Sequence, residues 1–285
     1  MPIIETKNLS FEYGDNLSIV KPALDDINIS VQKGEIIGVV GHTGSGKSTF
    51  MQMLNGLLKP SGGSVILDGI DIWKEPKKIR DIRFKVGLAF QYPEHQLFEE
   101  TVYKDIAFGP QNKGLSDEEI EKSVRDAIKF VDFPSELLEV SPFELSGGEK
   151  RRVAIAGIIA MNPEVLILDE PTAGLDPKGK RTLIDNILKY HKEKNNTIFF
   201  VSHNMDDIAY IADRILVLDK GKVAMFDVPE KIFKRANELQ NLGLEVPEIT
   251  RIVEMINANG FEIDESIVST EKVAEEIVNL IEKRG

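Results

Sequence analysis

The stretch IIGVVGHTGSGKSTFMQML, residues 36–54, constrains the fold more than any other part of the chain. Its five leading apolar residues show no polar alternation and read as a strand buried on both faces, the kind found inside parallel sheets. Glycines then crowd a short turn, and a helical pattern follows. The turn fits G-x-x-x-x-G-K-[ST], a loop whose glycines leave backbone N–H groups free to curl around phosphate oxygens. Gly41, Gly44, Ser45 and Gly46 make the curl. Lys47 is placed to reach the β- and γ-phosphates and Ser48 to ligate Mg²⁺, with Thr49 closing the motif. His42 and Thr43 belong to the loop but occupy variable positions, so no chemistry is assigned to them. A chance glycine-rich turn is the competing reading, and the strand–loop–helix setting weighs against it. A site for a nucleoside triphosphate and Mg²⁺ is expected.

Further strands are predicted in KVGLAFQ, VLILDE, TIFFVSH and RILVLDKGKVAMF, separated by helical patterns. This alternation predicts an α/β fold, a P-loop NTPase core with a mainly parallel sheet. IIETKNLSFEYG and LDDINISVQKGE alternate partly between apolar and polar residues, which predicts an N-terminal antiparallel β subdomain. From about residue 97 to 160 the pattern turns helical, as an inserted subdomain. There LSDEEIEKSVRDAIKFV places Ile120, Val124, Ile128 and Val131 on one face, behind a capping box of Ser116 and Glu119. The main domain is expected to span residues 1–228. Residues 229–285 read as a small C-terminal helical extension, with Val273, Ile277, Leu280 and Ile281 forming a narrow apolar stripe. That stripe suits a cap on its own chain or a dimerisation element, and both readings stay open.

Four other places carry chemistry. VLILDEP is a buried strand ending in Asp169 and Glu170; a carboxylate there can hold the Mg²⁺ shell, and its neighbour can polarise an attacking water. Alone, such a pair is as readily a solvated turn. Gln91 and His203 close two more strands, at the sheet edge where ligands collect. The Gln91 amide can contact Mg²⁺ or its water, and His203 can hydrogen-bond a γ-phosphate. The fourth place is FELSGGEKRR. Ser146 as N-cap and Glu149 three residues on satisfy a capping box, with Arg151 and Arg152 on the exposed side of the helix. A cap does not need Gly147 and Gly148 in succession, which cost backbone entropy and suit close approach to an anion. Since the first loop already holds one side of a nucleotide, a second copy related by a two-fold axis can supply this helix, making two equivalent sandwiched sites.

The net charge of −12, from 35 basic and 47 acidic residues, disfavours nucleic acid as a partner. There is no cysteine, which excludes thiol catalysis and fits a reducing cytosol. No apolar run approaches the roughly 20 residues of a membrane span. The stretch MPIIETKNLSFEYG lacks the basic end and apolar block of a signal peptide.

With these motifs in this order, residues 3–227 resemble the nucleotide-binding subunits of ATP-binding cassette (ABC) transporters. Residues 41–49 match the family's phosphate loop, Gln91 the Q-loop, LSGGE the signature, VLILDE the Walker B strand, AGLD the D-loop and His203 the switch histidine. The resemblance implies that Tyr13 stacks on adenine, that Asp176 connects the two sites of a dimer, and that the signature faces the ATP of the opposite subunit. Glu149 stands where the family most often has Gln, and its charge is expected to weaken closure on a triphosphate. Within the family, QYPEHQLFEETVYKDIAFGPQNKG, SPFELSGGEKRRVAIAG and the C-terminal helices look most like the ATPases of energy-coupling factor transporters. That implies a second ATPase subunit, identical or a close paralogue, and two membrane partners, a coupling protein and a substrate-binding protein. It also implies a peripheral place on the cytoplasmic face of the membrane and uptake of a vitamin or transition-metal ion. Residues 91–100 are then expected to line the groove for the coupling protein, with Glu94, Glu99 and Glu100 meeting its arginines. The alternatives are a soluble cassette ATPase acting on ribosomes or DNA, and a nucleotide-binding regulator without turnover.

Overall fold

The computed structural model describes residues 1–14, 22–264, 267 and 270–282, apart from the side chains of Glu271, Ile281 and Glu282. The chain opens with two long strands, β1 (Pro2–Phe11) and β2 (Leu24–Gln32), then the buried strand β3 (Ile36–Val40) and helix α1 (Lys47–Leu54). Strands β4 (Gly62–Leu67) and β5 (Ile70–Asp71) follow. β1, β2, β4 and β5 form one sheet in the order β2-β1-β4-β5, with antiparallel pairing throughout, as the alternation predicts. On β2, Leu24, Ile27, Ile29 and Val31 turn inward while their neighbours stay wetter.

The rest of the chain adds α2 (Ile79–Lys85), β6 (Val86–Ala89), α3 (Val102–Lys113), α4 (Asp117–Phe130), α5 (Gly147–Ile159) and β7 (Val165–Asp169). Then come α6 (Pro177–Lys194), β8 (Thr197–Val201), α7 (Met205–Ile211), and the hairpin β9 (Arg214–Asp219) and β10 (Lys222–Asp227). The second sheet runs β10-β9-β3-β8-β7-β6, and every pair in it except the β9–β10 hairpin is parallel. β3, β7 and β8 are buried at every residue, which is why their sequences show no alternation. Parallel strands end at one edge. Gly41 leaves β3, Glu170 leaves β7, and Gln91 and His203 lie just past β6 and β8.

Helices α3 to α5 form the inserted layer. Ser116 caps α4 by accepting from Glu119 N, while Glu119 Oε2 accepts from Ser116 N at 2.8 Å. Such a cap contributes about 1 kcal/mol. The predicted face of Ile120, Val124, Ile128 and Val131 is buried. α5 lies close on α3: a Cβ on Gly157 would sit 3.8 Å from the Ile106 Cα.

Past residue 228 the single helical pattern PEKIFKRANELQNLG divides into α8 (Pro229–Phe233) and α9 (Ala236–Asn241). Their Ile232, Phe233, Ala236 and Leu239 join the main core. α10 (Glu248–Ala258), α11 (Thr270–Glu282) and Ile263 between them make a small core of their own from Ile249, Val253, Ile263 and Val273, with Ile277 and Leu280 packed on it. Three residues of the apolar stripe thus pack within their own chain. The side chain of the fourth, Ile281, lies outside the described residues.

Candidate functional site

The glycine-rich loop delivers Lys47 at the head of α1 behind Gly46, which is left-handed at φ 103°. Lys47 Nζ donates to the carbonyls of Gly41 at 2.6 Å and His42 at 3.1 Å. Burial pushes its pKa down, against the pull of Glu170 and Asp169. Gly41 is required by packing, since a Cβ there would lie 2.4 Å from the Leu218 carbonyl oxygen and 2.5 Å from Ser45 Oγ. Gly44 and the fully buried Ser45 complete the turn. His42 is tied down: Nε2 lies 2.9 Å from Asp219 Oδ1 and Nδ1 2.7 Å from the Thr43 carbonyl oxygen. The Thr49 hydroxyl lies 3.0 Å from the Tyr13 phenol. Tyr13 is half exposed, with Phe11 edge-on to it at 4.8 Å.

Two strands away, Asp169 Oδ2 accepts from Ser48 Oγ at 2.9 Å. Burial raises the Asp169 carboxyl, and Ser48 and Lys47 oppose this. These two hard oxygen donors, one anionic, suit Mg²⁺. Glu170 is buried, with left-handed backbone at φ 53°, and its N–H donates to the Val201 carbonyl at 3.0 Å. Burial pushes its carboxyl above the ordinary range; the charge and hydrogen bond of His203 pull against that. His203 Nδ1 reaches Glu170 Oε2 at 2.9 Å while most of its ring stays exposed. An ionised Glu170 carboxylate can only accept, which calls for the His203 tautomer with the proton on Nδ1. Gln91 is exposed, two residues beyond the end of β6.

The signature heads α5. Ser146 caps it through Glu149 N, and Glu149 Oε2 accepts from Ser146 N at 2.8 Å and Oγ at 2.5 Å. These bonds hold the Glu149 carboxyl below its usual range and occupy it within the cap. A Cβ on Gly147 or Gly148 would meet nothing within 4 Å. Among the described residues, no packing contact demands either glycine. Asp176 caps α6, accepting from Gly179 N at 2.7 Å, and it shares a cavity of about 300 Å³ with Gly148.

One reading of this helix is corrected. Arg151 does not lie on the exposed side: it is 4% exposed and faces inward on the same stripe as Ile155 and Ile159. It holds Glu94 at 2.8 Å. Glu94 is therefore engaged within the chain, and Glu100 pairs with Lys104 at 2.5 Å. Beside them runs an apolar groove of about 650 Å³, lined among others by Leu97, Phe98, Asp105, Phe108 and Ile158. Phe98 and Phe108 meet edge-on at 4.9 Å, both with large exposed surface.

Comparison with known proteins assigns the arrangement. The ABC transporter family model matches residues 24–173. The energy-coupling factor transporter ATP-binding protein EcfA2 of Caldanaerobacter subterraneus subsp. tengcongensis is 50% identical over 281 residues, covering 99% of this chain and 98% of that protein. The protein of the same name from Clostridium tetani is 49% identical over 283 residues, with the same coverage. Among solved structures, cbiO1 of Clostridium perfringens, part of the ABC transporter complex cbiONQ, superposes with a TM-score of 0.75 at 36% identity, over 89% of this chain and 99% of that one. A dimeric post-hydrolysis cassette bound to ADP and Pi, MJ0796, superposes with a TM-score of 0.71 at 28% identity, over 79% of this chain and 98% of its own. The chain belongs to the ATP-binding cassette family, among the ATPase subunits of energy-coupling factor transporters.

Proposed function

We propose that this chain works as one of a pair of ATPases, identical or closely related, that drive micronutrient uptake from the cytoplasmic face of a membrane. The observation that carries the reading is a division of labour. The loop of residues 41–49, Asp169, Glu170 and His203 meet at one sheet edge, while Gly147 and Gly148 face open space. A chain built so owns half of each chamber, and the dimer of the related MJ0796 cassette supports the two-fold pairing.

Tyr13 offers its ring to adenine, and residues 41–47 wrap the phosphates. Ser48, Asp169 and Gln91 hold Mg²⁺, which neutralises phosphate charge when bound. Residues 146–148 of the second subunit close on the γ-phosphate, and Asp176 links the two chambers. Glu170 accepts a proton from water as its oxygen attacks the γ-phosphorus. The bond to the oxygen bridging β and γ breaks, giving ADP and phosphate, while His203 steadies the departing γ-phosphoryl. Positioning and fixed charge supply most of the acceleration. The two products repel each other, which loosens the pair.

No helix among the described residues is long and apolar enough to cross a membrane. The attachment we propose is the groove at Phe98 and Phe108, filled by helices of a coupling protein, with a separate membrane protein binding a vitamin or transition-metal ion. Glu94 leaves the set of acids available to that protein's arginines because Arg151 holds it. Reversing Glu99 and Glu100 to lysine is expected to reduce recovery of membrane partners with the tagged chain from detergent extracts, with basal ATP hydrolysis unchanged. Undiminished recovery would refute the docking site; recovery of ribosomes in place of membrane proteins would refute the transport reading.

A further inference from the structure

Arg151 follows the signature without carrying any of its chemistry, yet it joins three segments of the site. Its Nε and Nη2 donate to the two Glu94 oxygens at 3.1 and 2.8 Å, a bidentate fork. Its Nη1 donates to the carbonyls of Pro171, at 3.4 Å, and Ala173, both just after Glu170. The Tyr92 ring, next to Gln91, lies 5.9 Å from the guanidinium carbon. Burial raises the Glu94 carboxyl, but the hydrogen bonds of Arg151 and of Glu94's own backbone, with the charges of Arg151 and His95, more than offset it and hold Glu94 below its usual range. One planar cation in the first turns of α5 thus bonds the segment after β6 and the loop after β7.

Stability alone does not account for such a pair, because replacing a buried ion pair with apolar side chains of similar volume is often neutral or stabilising. What a rigid fork supplies is registry. We propose that Arg151 is a positioning residue for ATP hydrolysis, a strut fixing the signature at the head of α5 in register with the loop that carries Glu170 and the segment that carries Gln91. The inference rests on the site assignment above. Arg151 acts through these segments. Glu94 sits in the short 3₁₀ turn Pro93–Gln96, which leads directly into Leu97 and Phe98 of the groove. Whatever occupies the groove and shifts that turn therefore also shifts α5.

The test compares Arg151→Lys, and the double variant Arg151→Met with Glu94→Met, against the unaltered chain assembled with its partners. Lysine keeps the charge but cannot span Glu94 and two carbonyls with one planar fork. The double variant removes the strut without leaving a buried charge unpaired. Both are expected to bind ATP within about twofold of normal, since the phosphate loop is untouched. Both are expected to turn over about 10- to 100-fold more slowly, the scale of effect produced by ångström-sized misplacement. A purely structural role predicts instead that the double variant, once shown to melt normally, recovers full turnover. Full-rate hydrolysis by either folded variant overturns the strut, as does loss of ATP affinity in step with rate. Glu170→Gln measured alongside separates the two ideas. If it hydrolyses normally, the site assignment falls and the strut with it; if it is inactive while Arg151→Lys runs at full rate, only the strut falls.

Discussion

Glu170→Gln is expected to bind ATP normally and to hydrolyse it two to four orders of magnitude more slowly, roughly the loss that follows removal of a general base. The substitution is nearly isosteric, and the Gln carbonyl can still accept from His203 Nδ1, which now lies 2.9 Å from Glu170. Lys47, Ser48 and Asp169 keep their own hydrogen bonds, so affinity for the triphosphate stays. What goes is the carboxylate that takes the proton from water. It also removes a negative charge from the buried edge where the γ-phosphate is expected to sit. The ATP-bound pair should therefore outlast that of the unaltered protein. Phosphate release measures the first effect and light scattering in ATP the second. Near-normal phosphate release would remove Glu170 from the role.

Gly148→Asp is expected to be as damaging from the other side of the chamber. Its Cβ would meet no packing neighbour among the described residues within 4 Å, so the fold should tolerate the change, with stability altered by about 0.5 kcal/mol or less. A carboxylate brought against the γ-phosphate of a neighbouring chain repels it and displaces backbone donors. Hydrolysis should drop by about 100-fold or more, the order seen when a donor to developing charge is lost. Mixing gives the sharper measurement. In a pair of identical chains, Gly148→Asp with Glu170→Gln makes one chamber from the intact halves and one from the damaged halves. Two inactive preparations, combined before ATP is added, should regain about a quarter of normal turnover if chambers act independently. No recovery would mean that each chain uses its own signature.

The phosphate loop and the Asp169–Glu170 pair were legible because each couples an unbroken apolar run to an abrupt polar end. Both strands are buried throughout, and the polar ends emerge together. The order of the strands was not legible. Nothing along the chain tells that β9 lies beside β3, so the bond from His42 to Asp219 could not be read from a loop position that varies freely. The burial of Arg151 is hidden for a different reason. Its place four residues before Ile155 and eight before Ile159 continues the buried stripe of α5, but a charged side chain there reads as a solvent-facing one. Glu94 follows from that: its partner lies 57 residues away, and an acid without a visible partner reads as one that meets another protein. The division between α8 and α9 escaped because no proline or glycine marks it.

The way each half-site is attached to the molecule has one more consequence. Residues 41–49, the Asp169–Glu170 pair and His203 hang from β3, β7 and β8, which a continuous backbone ladder joins. The head of α5 belongs to no sheet and is tied to the rest of the chain through the Arg151 side chain. In heavy water, amides of the three strands should be last to take up deuterium and those of the first turn of α5 among the earliest, with ATP-driven pairing slowing only the latter. The pace of the cycle is then expected to reside in a part of the molecule that opens readily, and its grip on the triphosphate in one that does not.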